Sequence, residues 1–187
     1  MTYLTKIAEG LDFSLLRAQL TVRQHLWNQI TYRKEGRGTP HSQMDDIWLR
    51  YRSDEAFKAR GDYHGIAEGE FHCVFYPAWA ELPAARPICF ALMTKLEAVE
   101  LGTMIIYRLA PGKRIDPHTD AGWAVNYYST KIHVCLQGGM KCGYRVMNEF
   151  KPFKTCDVYI FDNRFEHEIV NETDEDMIML VQCMHCE

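Results

Sequence analysis

Three residues carry the strongest chemical suggestion in this chain. In IDPHTDAGW, residues 115–123, His118 and Asp120 stand one residue apart, after a proline and before a glycine. In extended backbone, positions i and i+2 project from the same face, so an imidazole and a carboxylate there can reach one ion. The plainer alternative is a polar turn at the mouth of a strand. His167, in FDNRFEHEIV, closes another predicted strand and is the third candidate. Two imidazoles and one carboxylate on one face of an octahedral ion make the facial triad that holds non-haem Fe(II), leaving positions open for a cosubstrate and O₂. The chain has eight histidines, so the spacing alone does not separate such a triad from hydrogen-bonded surface or core histidines.

The elements that must position these residues read as follows. LDFSLLRAQLTVRQHLWNQITYRK, from Leu11 to Lys34, repeats Leu15, Leu16, Leu20, Leu26, Trp27 and Ile30 at roughly helical spacing, with Asp12 or Ser14 as cap. SQMDDIWLRYRS alternates Ile47, Leu49 and Tyr51 against Trp48, Arg50 and Arg52, which predicts a strand. Residues 61–87 are loop-rich, and PICFALMTKLEAVEL predicts a buried helix. From Gly102 onward, short runs rich in β-branched and aromatic residues (TMIIYRL, KIHVCLQ, DVYIFDN, MIMLVQC) alternate with turn residues. That texture predicts an all-β second half of sandwich or barrel type. The expected whole is one α+β domain over residues 1–187: a mainly helical part, 1–101, packed on one face of a β core, 102–187.

The totals narrow the classes of function. At 187 residues and 47% hydrophobic, the chain suits one domain of ordinary size. Twenty-one basic against 25 acidic side chains give a net charge of -4, so no global charge invites nucleic acid or an anionic membrane. The N-terminus lacks the plan of a signal peptide, and no apolar run approaches the roughly 18 residues of a spanning helix. A soluble, cytoplasmic protein is expected. The seven cysteines are odd in number and scattered, which favours buried free thiols. Cys183-Met184-His185-Cys186 has metal-like spacing but no second pair of ligands, and reads as a frayed tail.

The surrounding text of the triad adds a resemblance. YRLAPGKRIDPHTD, KIHVCLQGG and CDVYIFDNRFEHEIVNETDED occur in that order over about residues 103–183. Together they resemble the aspartyl/asparaginyl β-hydroxylase family of Fe(II)- and 2-oxoglutarate-dependent dioxygenases. There a strand ending in a Pro-Gly turn leads to a Pro-His ligand, a basic-x-His strand follows, and Phe-Asp-x-x-x-x-His-Glu supplies a second histidine. The resemblance implies a double-stranded β-helix (jelly-roll, cupin-like) core and a hydroxylase using Fe(II), 2-oxoglutarate and O₂. It makes His118 and His167 iron ligands, and places Lys131, His133 and Tyr107 beside the cosubstrate. The one-residue spacing of Lys131 and His133 gives them a common strand face.

Two departures from the family pattern matter. Asp120 stands where members of the family carry a glycine, so a complete His118, Asp120, His167 triad is possible here. Met177 stands where the family places the arginine that pairs the distal carboxylate of 2-oxoglutarate, and no Lys or Arg follows Arg164. A buried dicarboxylate left unpaired costs several kcal/mol. An upstream cation must therefore replace that arginine, with Lys131 the first choice and Arg145 the second. Asp162 is either a turn residue or a partner that orients a ligand imidazole.

AGWAVNYYST falls where a barrel-mouth loop is expected, which makes Trp123, Asn126, Tyr127 and Tyr128 candidates for substrate contact. Arg33, Arg37, Arg50 and Arg52 are candidates to receive an acidic group. The substrate class left open is a small molecule or a protein side chain, possible candidates including an Asp/Asn-type side chain. The competing reading is a cupin-like module that binds metal or ligand without turning over 2-oxoglutarate.

Overall fold

The structure is a computed structural model that describes residues 3–55, 73–147 and 149–187. Its strands form two antiparallel sheets. The large sheet has seven strands: β1 (Leu4–Ala8), β2 (Asp45–Arg52), β3 (Cys73–Phe75), β4 (Ala98–Leu109), β6 (Thr130–Gln137), β9 (Val158–Phe161) and β11 (Met177–Cys186), in the order β1-β9-β6-β11-β4-β2-β3. The small sheet has β5 (Arg114–His118), β7 (Cys142–Val146), β8 (Glu149–Pro152) and β10 (His167–Asn171), in the order β5-β10-β7-β8.

Period-two alternation sorts each central strand between two cores. Met104 and Ile106 of β4, Ile132, Val134 and Leu136 of β6, and Leu180 and Met184 of β11 face the outer core. Ile105, Tyr107, Leu109, Cys135, Met177, Met179 and Val181 face the inner one, against Ile115, Tyr144, Val146 and Ile169 of the small sheet. Both faces of the large sheet are covered, which is why its strands read as nearly continuous apolar runs. The outer face is covered by α1 (Ser14–Val22), through Leu16 and Leu20, and by α4 (Ala85–Lys95), through Ala85, Cys89 and Leu92. Two further short helices are α2 (Tyr32–Glu35) and α3 (Ala78–Glu81). This is a double-stranded β-helix with the N-terminal helices on one face, the fold class expected from the sequence.

Several sequence expectations need correction. The first hundred residues are mixed, since β1, β2 and β3 join the large sheet alongside the helices. The helix expected over residues 11–34 stops at Val22. Arg23 (φ -114°, ψ 49°) leaves helical geometry, a 3₁₀ turn follows at Gln24–Leu26, and Asn28 is left-handed (φ 57°). Asn28 hydrogen-bonds Asp45 and both backbone groups of Asp46, so pairing with β2 outweighs helical continuation. The start is as expected, with Asp12 Oδ1 accepting the Ser14 N–H at 2.8 Å. PICFALMTKLEAVEL is helical only to Lys95, because Glu97 (φ 53°) turns the chain into β4. Phe90, within that helix, is exposed. The second half contains a short helix, α5 (Trp123–Tyr127), where a loop was expected. The C-terminal Cys-Met-His-Cys run is no frayed tail: β11 pairs with β4 as far as Cys186, opposite Ala98. All seven cysteines are free, with Cys89, Cys135 and Cys142 buried and the other four partly so.

Candidate metal centre

The two histidines are brought together by strand register. β5 and β10 are antiparallel neighbours with His118 directly opposite His167, and their ring centroids lie 4.3 Å apart. Each ring is held the same way. His118 Nδ1 lies 2.8 Å from the Asp116 carbonyl and His167 Nδ1 2.8 Å from the Phe165 carbonyl. A carbonyl only accepts, so both Nδ1 atoms carry the proton and both Nε2 lone pairs are left to bind. Asp120 completes the group, its Oδ1 3.3 Å from His118 Nε2. The ligand atoms of His118, Asp120 and His167 all lie within 4.8 Å of one another, close enough to share one ion, and no other such group occurs among the described residues.

Asp120 is a well-stabilised carboxylate. Burial alone would raise its pKa, but the Lys131 ammonium and hydrogen bonds from Lys131 and Asn163 hold it far below the usual carboxylate range. Its Oδ2 accepts from Lys131 Nζ at 2.5 Å and from Asn163 Nδ2 at 2.7 Å. Burial, reinforced by the neighbouring charges, pushes the His167 imidazole down to about 4, keeping it neutral and able to donate its lone pair.

The group opens onto a pocket of about 620 Å³, walled by β4, β6, β11, the 119–128 segment and residues 32–52 of the N-terminal part. Lys131, Arg33 and Arg52 bring cationic side chains to it. Arg33 Nη1 bonds Asp46 at 3.1 Å and its Nη2 lies 3.2 Å from His41 Nε2, while the His41 ring stands edge-on to His118 at 5.3 Å. Nothing local in the sequence marks His41, which a main-chain bond from Asp116 N–H to the Pro40 carbonyl brings alongside β5.

The other expected site residues fall in different places. Trp123 and Tyr128 line the pocket, whereas Asn126 is exposed and does not. Tyr127 stacks between Trp123 and His185 and donates to Glu100, bracing α5 from behind. Lys131 and His133 do share the inner face of β6. His133, however, is buried among Tyr107, Phe153 and Phe161, below the pocket and with the Phe161 ring between it and His167. Tyr107 Oη and both His133 ring nitrogens are buried without a hydrogen-bond partner among the described residues.

Arg145 is a correction. It lies on the outer face of β7, paired with Glu168 and Glu172, because Tyr144 and Val146 on either side take the inward positions. Arg50 spends its guanidinium on the carbonyls of Leu101 and Cys73, and Arg37 is exposed. Asp162 is a turn residue bonded to Arg164. Asn163, next to it and missed in the sequence, is the one that touches a member of the triad.

The sequence profile of the aspartyl/asparaginyl beta-hydroxylase family matches residues 21–186. No curated protein sequence matches the chain. Among solved structures, an oxidoreductase of the 2OG-Fe(II) oxygenase family from Burkholderia pseudomallei aligns over 76% of this chain and 67% of its own, at 13% identity and a TM-score of 0.50. A predicted oxalate decarboxylase from Thermotoga maritima aligns over 51% of this chain and 72% of its own, at 20% identity and a TM-score of 0.37. A cupin 2 conserved barrel protein from Salinispora arenicola covers 43% and 60%, at 21% identity and 0.34. No helix among the described residues is long and apolar enough to cross a membrane.

Proposed function

The chain belongs to the aspartyl/asparaginyl beta-hydroxylase family, and from that premise we propose that it is a non-haem Fe(II)- and 2-oxoglutarate-dependent dioxygenase acting as a single domain. The observation that carries the reading is the His118, Asp120, His167 group, with both imidazoles locked in the metal-binding tautomer by backbone carbonyls. One carboxylate and two imidazoles on one side of an ion suit Fe(II). Bound there with 2-oxoglutarate and O₂, the metal supplies the oxidising power for hydroxylating a substrate C–H bond, with succinate and CO₂ as coproducts.

The protein's own residues do the holding. Lys131, Arg33 and Arg52 offer the positive charge that a bound dicarboxylate requires in place of the arginine absent at Met177, itself fully buried in the inner core. Tyr107 and His133 are buried below this pocket and outside its lining, so the cosubstrate role expected of them falls to Lys131, Arg33 and Arg52. Trp123 and Tyr128 form the wall on the side of α5 and would contact a small molecule or a protein side chain.

Anaerobic titration with Fe(II) and 2-oxoglutarate tests the proposal. The weak visible charge-transfer band of the chelate should appear, and aerobic incubation should release succinate. Both should vanish in the Asp120→Ala, His167→Ala double variant. Metal binding without the band would favour a cupin-like binding module instead.

A further inference from the structure

We propose that Asn163 and Lys131 act as a clamp on Asp120, occupying its Oδ2 so that Oδ1 alone is offered to the metal. The inference rests on the metal reading above and assigns two positioning residues to that centre. Lys131 Nζ reaches Oδ2 from β6 at 2.5 Å, and Asn163 Nδ2 reaches the same oxygen from the segment between β9 and β10 at 2.7 Å. Two donors from different elements fix both the tilt and the rotation of the carboxylate. The other oxygen, Oδ1, is the one beside His118 Nε2.

Asn163 also accepts the Asp120 N–H on its main-chain carbonyl, at 3.1 Å. One residue therefore holds Asp120 by backbone and side chain together, and it sits four positions before His167 on the same segment. It ties the two ligand-bearing stretches of chain to each other. Asn163 is 7% exposed, so the amide is committed to this contact rather than to solvent. The Lys131 ammonium is partly buried over the Phe161 ring, at 5.6 Å.

Coordination arithmetic gives the clamp a purpose. A carboxylate bound through one oxygen leaves three of six positions open beside two imidazoles. Bound through both oxygens, it leaves two, one too few for a chelating cosubstrate and a further ligand. Groups behind a metal ligand that orient it are commonly worth about 10–100-fold in metal affinity.

A double-mutant cycle tests this, using Co(II) in the absence of 2-oxoglutarate and reading affinity by calorimetry. Asn163→Leu should weaken Co(II) binding about 10–100-fold in the native background. In the Asp120→Ala background, where His118 and His167 hold the ion more weakly, the same change should cost less than about threefold, because the residue acts through Asp120. Unchanged affinity in Asn163→Leu, or equal losses in both backgrounds, would overturn the clamp. Should Asn163→Leu fail to fold, Lys131→Met completes the cycle. The ammonium repels the ion in both backgrounds, so the difference between them isolates the clamp, and no difference refutes it. Native protein that binds no Co(II) would refute the metal reading along with the clamp, whereas tight native binding without coupling to Asp120 refutes the clamp alone.

Discussion

At the scale of single residues, the site is built from groups whose partners leave one function open. His118 and His167 each give their Nδ1 proton to a carbonyl two residues back, which frees Nε2. Tyr107 is the opposite case: its hydroxyl is buried and has no partner among the described residues. Tyr107→Phe removes an unsatisfied donor and should raise stability by about 1 kcal/mol. Because Tyr107 lies outside the pocket lining, the same variant should bind 2-oxoglutarate as tightly as the native chain. Urea denaturation and a binding titration read the two effects, and a loss of stability would show that the hydroxyl is already satisfied. Of the residues the H-x-D and His-Glu segments suggested, the triad was legible. Asn163 was not, because nothing local in FDNRFEH distinguishes an amide that reaches Asp120 from one that merely shapes a turn.

At the scale of elements, α5 and β4 meet through a glycine that the pocket depends on. A Cβ at Gly102 would lie 2.6–3.0 Å from three atoms of the Tyr128 ring. That ring is fixed by its hydroxyl, which donates to Glu100 at 2.6 Å, and it forms part of the pocket wall. Gly102→Ala should therefore force the ring aside, cost about 1–3 kcal/mol in unfolding free energy and disturb ligand binding on the α5 side. Chemical denaturation checks this, and a change below about 0.5 kcal/mol would mean that Tyr128 relaxes freely. Element types were legible where a period held for several residues, as in β2 and the strands of the second half. Ends were not, since Arg23 leaves helical geometry after α1 and Glu97 turns left-handed after α4, and no breaker residue marks either in the sequence.

At the scale of the whole molecule, the fold buries ionisable groups whose charge states make its stability depend on pH. His133 is fully enclosed, and burial, helped by Lys131 and His167, pushes its pKa well below 6.5, so it stays neutral in the folded chain and charges on unfolding. Stability from this group is present above about pH 6.5 and lost as pH falls below it. Asp45 adds a second window. Burial would raise its pKa, but Lys34, Asn28 and Arg108 together lower it to about 2 from 3.8, so its contribution is lost between those values on acidification. The urea midpoint should fall from pH 7 to pH 5 and again below pH 4, and a flat profile between pH 7 and 5 would contradict the buried neutral His133. The alternation of apolar residues and the common face of Lys131 and His133 follow from the pleat of a strand, which is local, and the sequence alone determined them. Which cation enters the pocket, which histidines meet and what grips Asp120 depend on register between strands far apart in the chain. Only the tertiary structure therefore decided that Lys131 points in and Arg145 out, that His118 faces His167 across β5 and β10, and that Asn163 closes on Asp120.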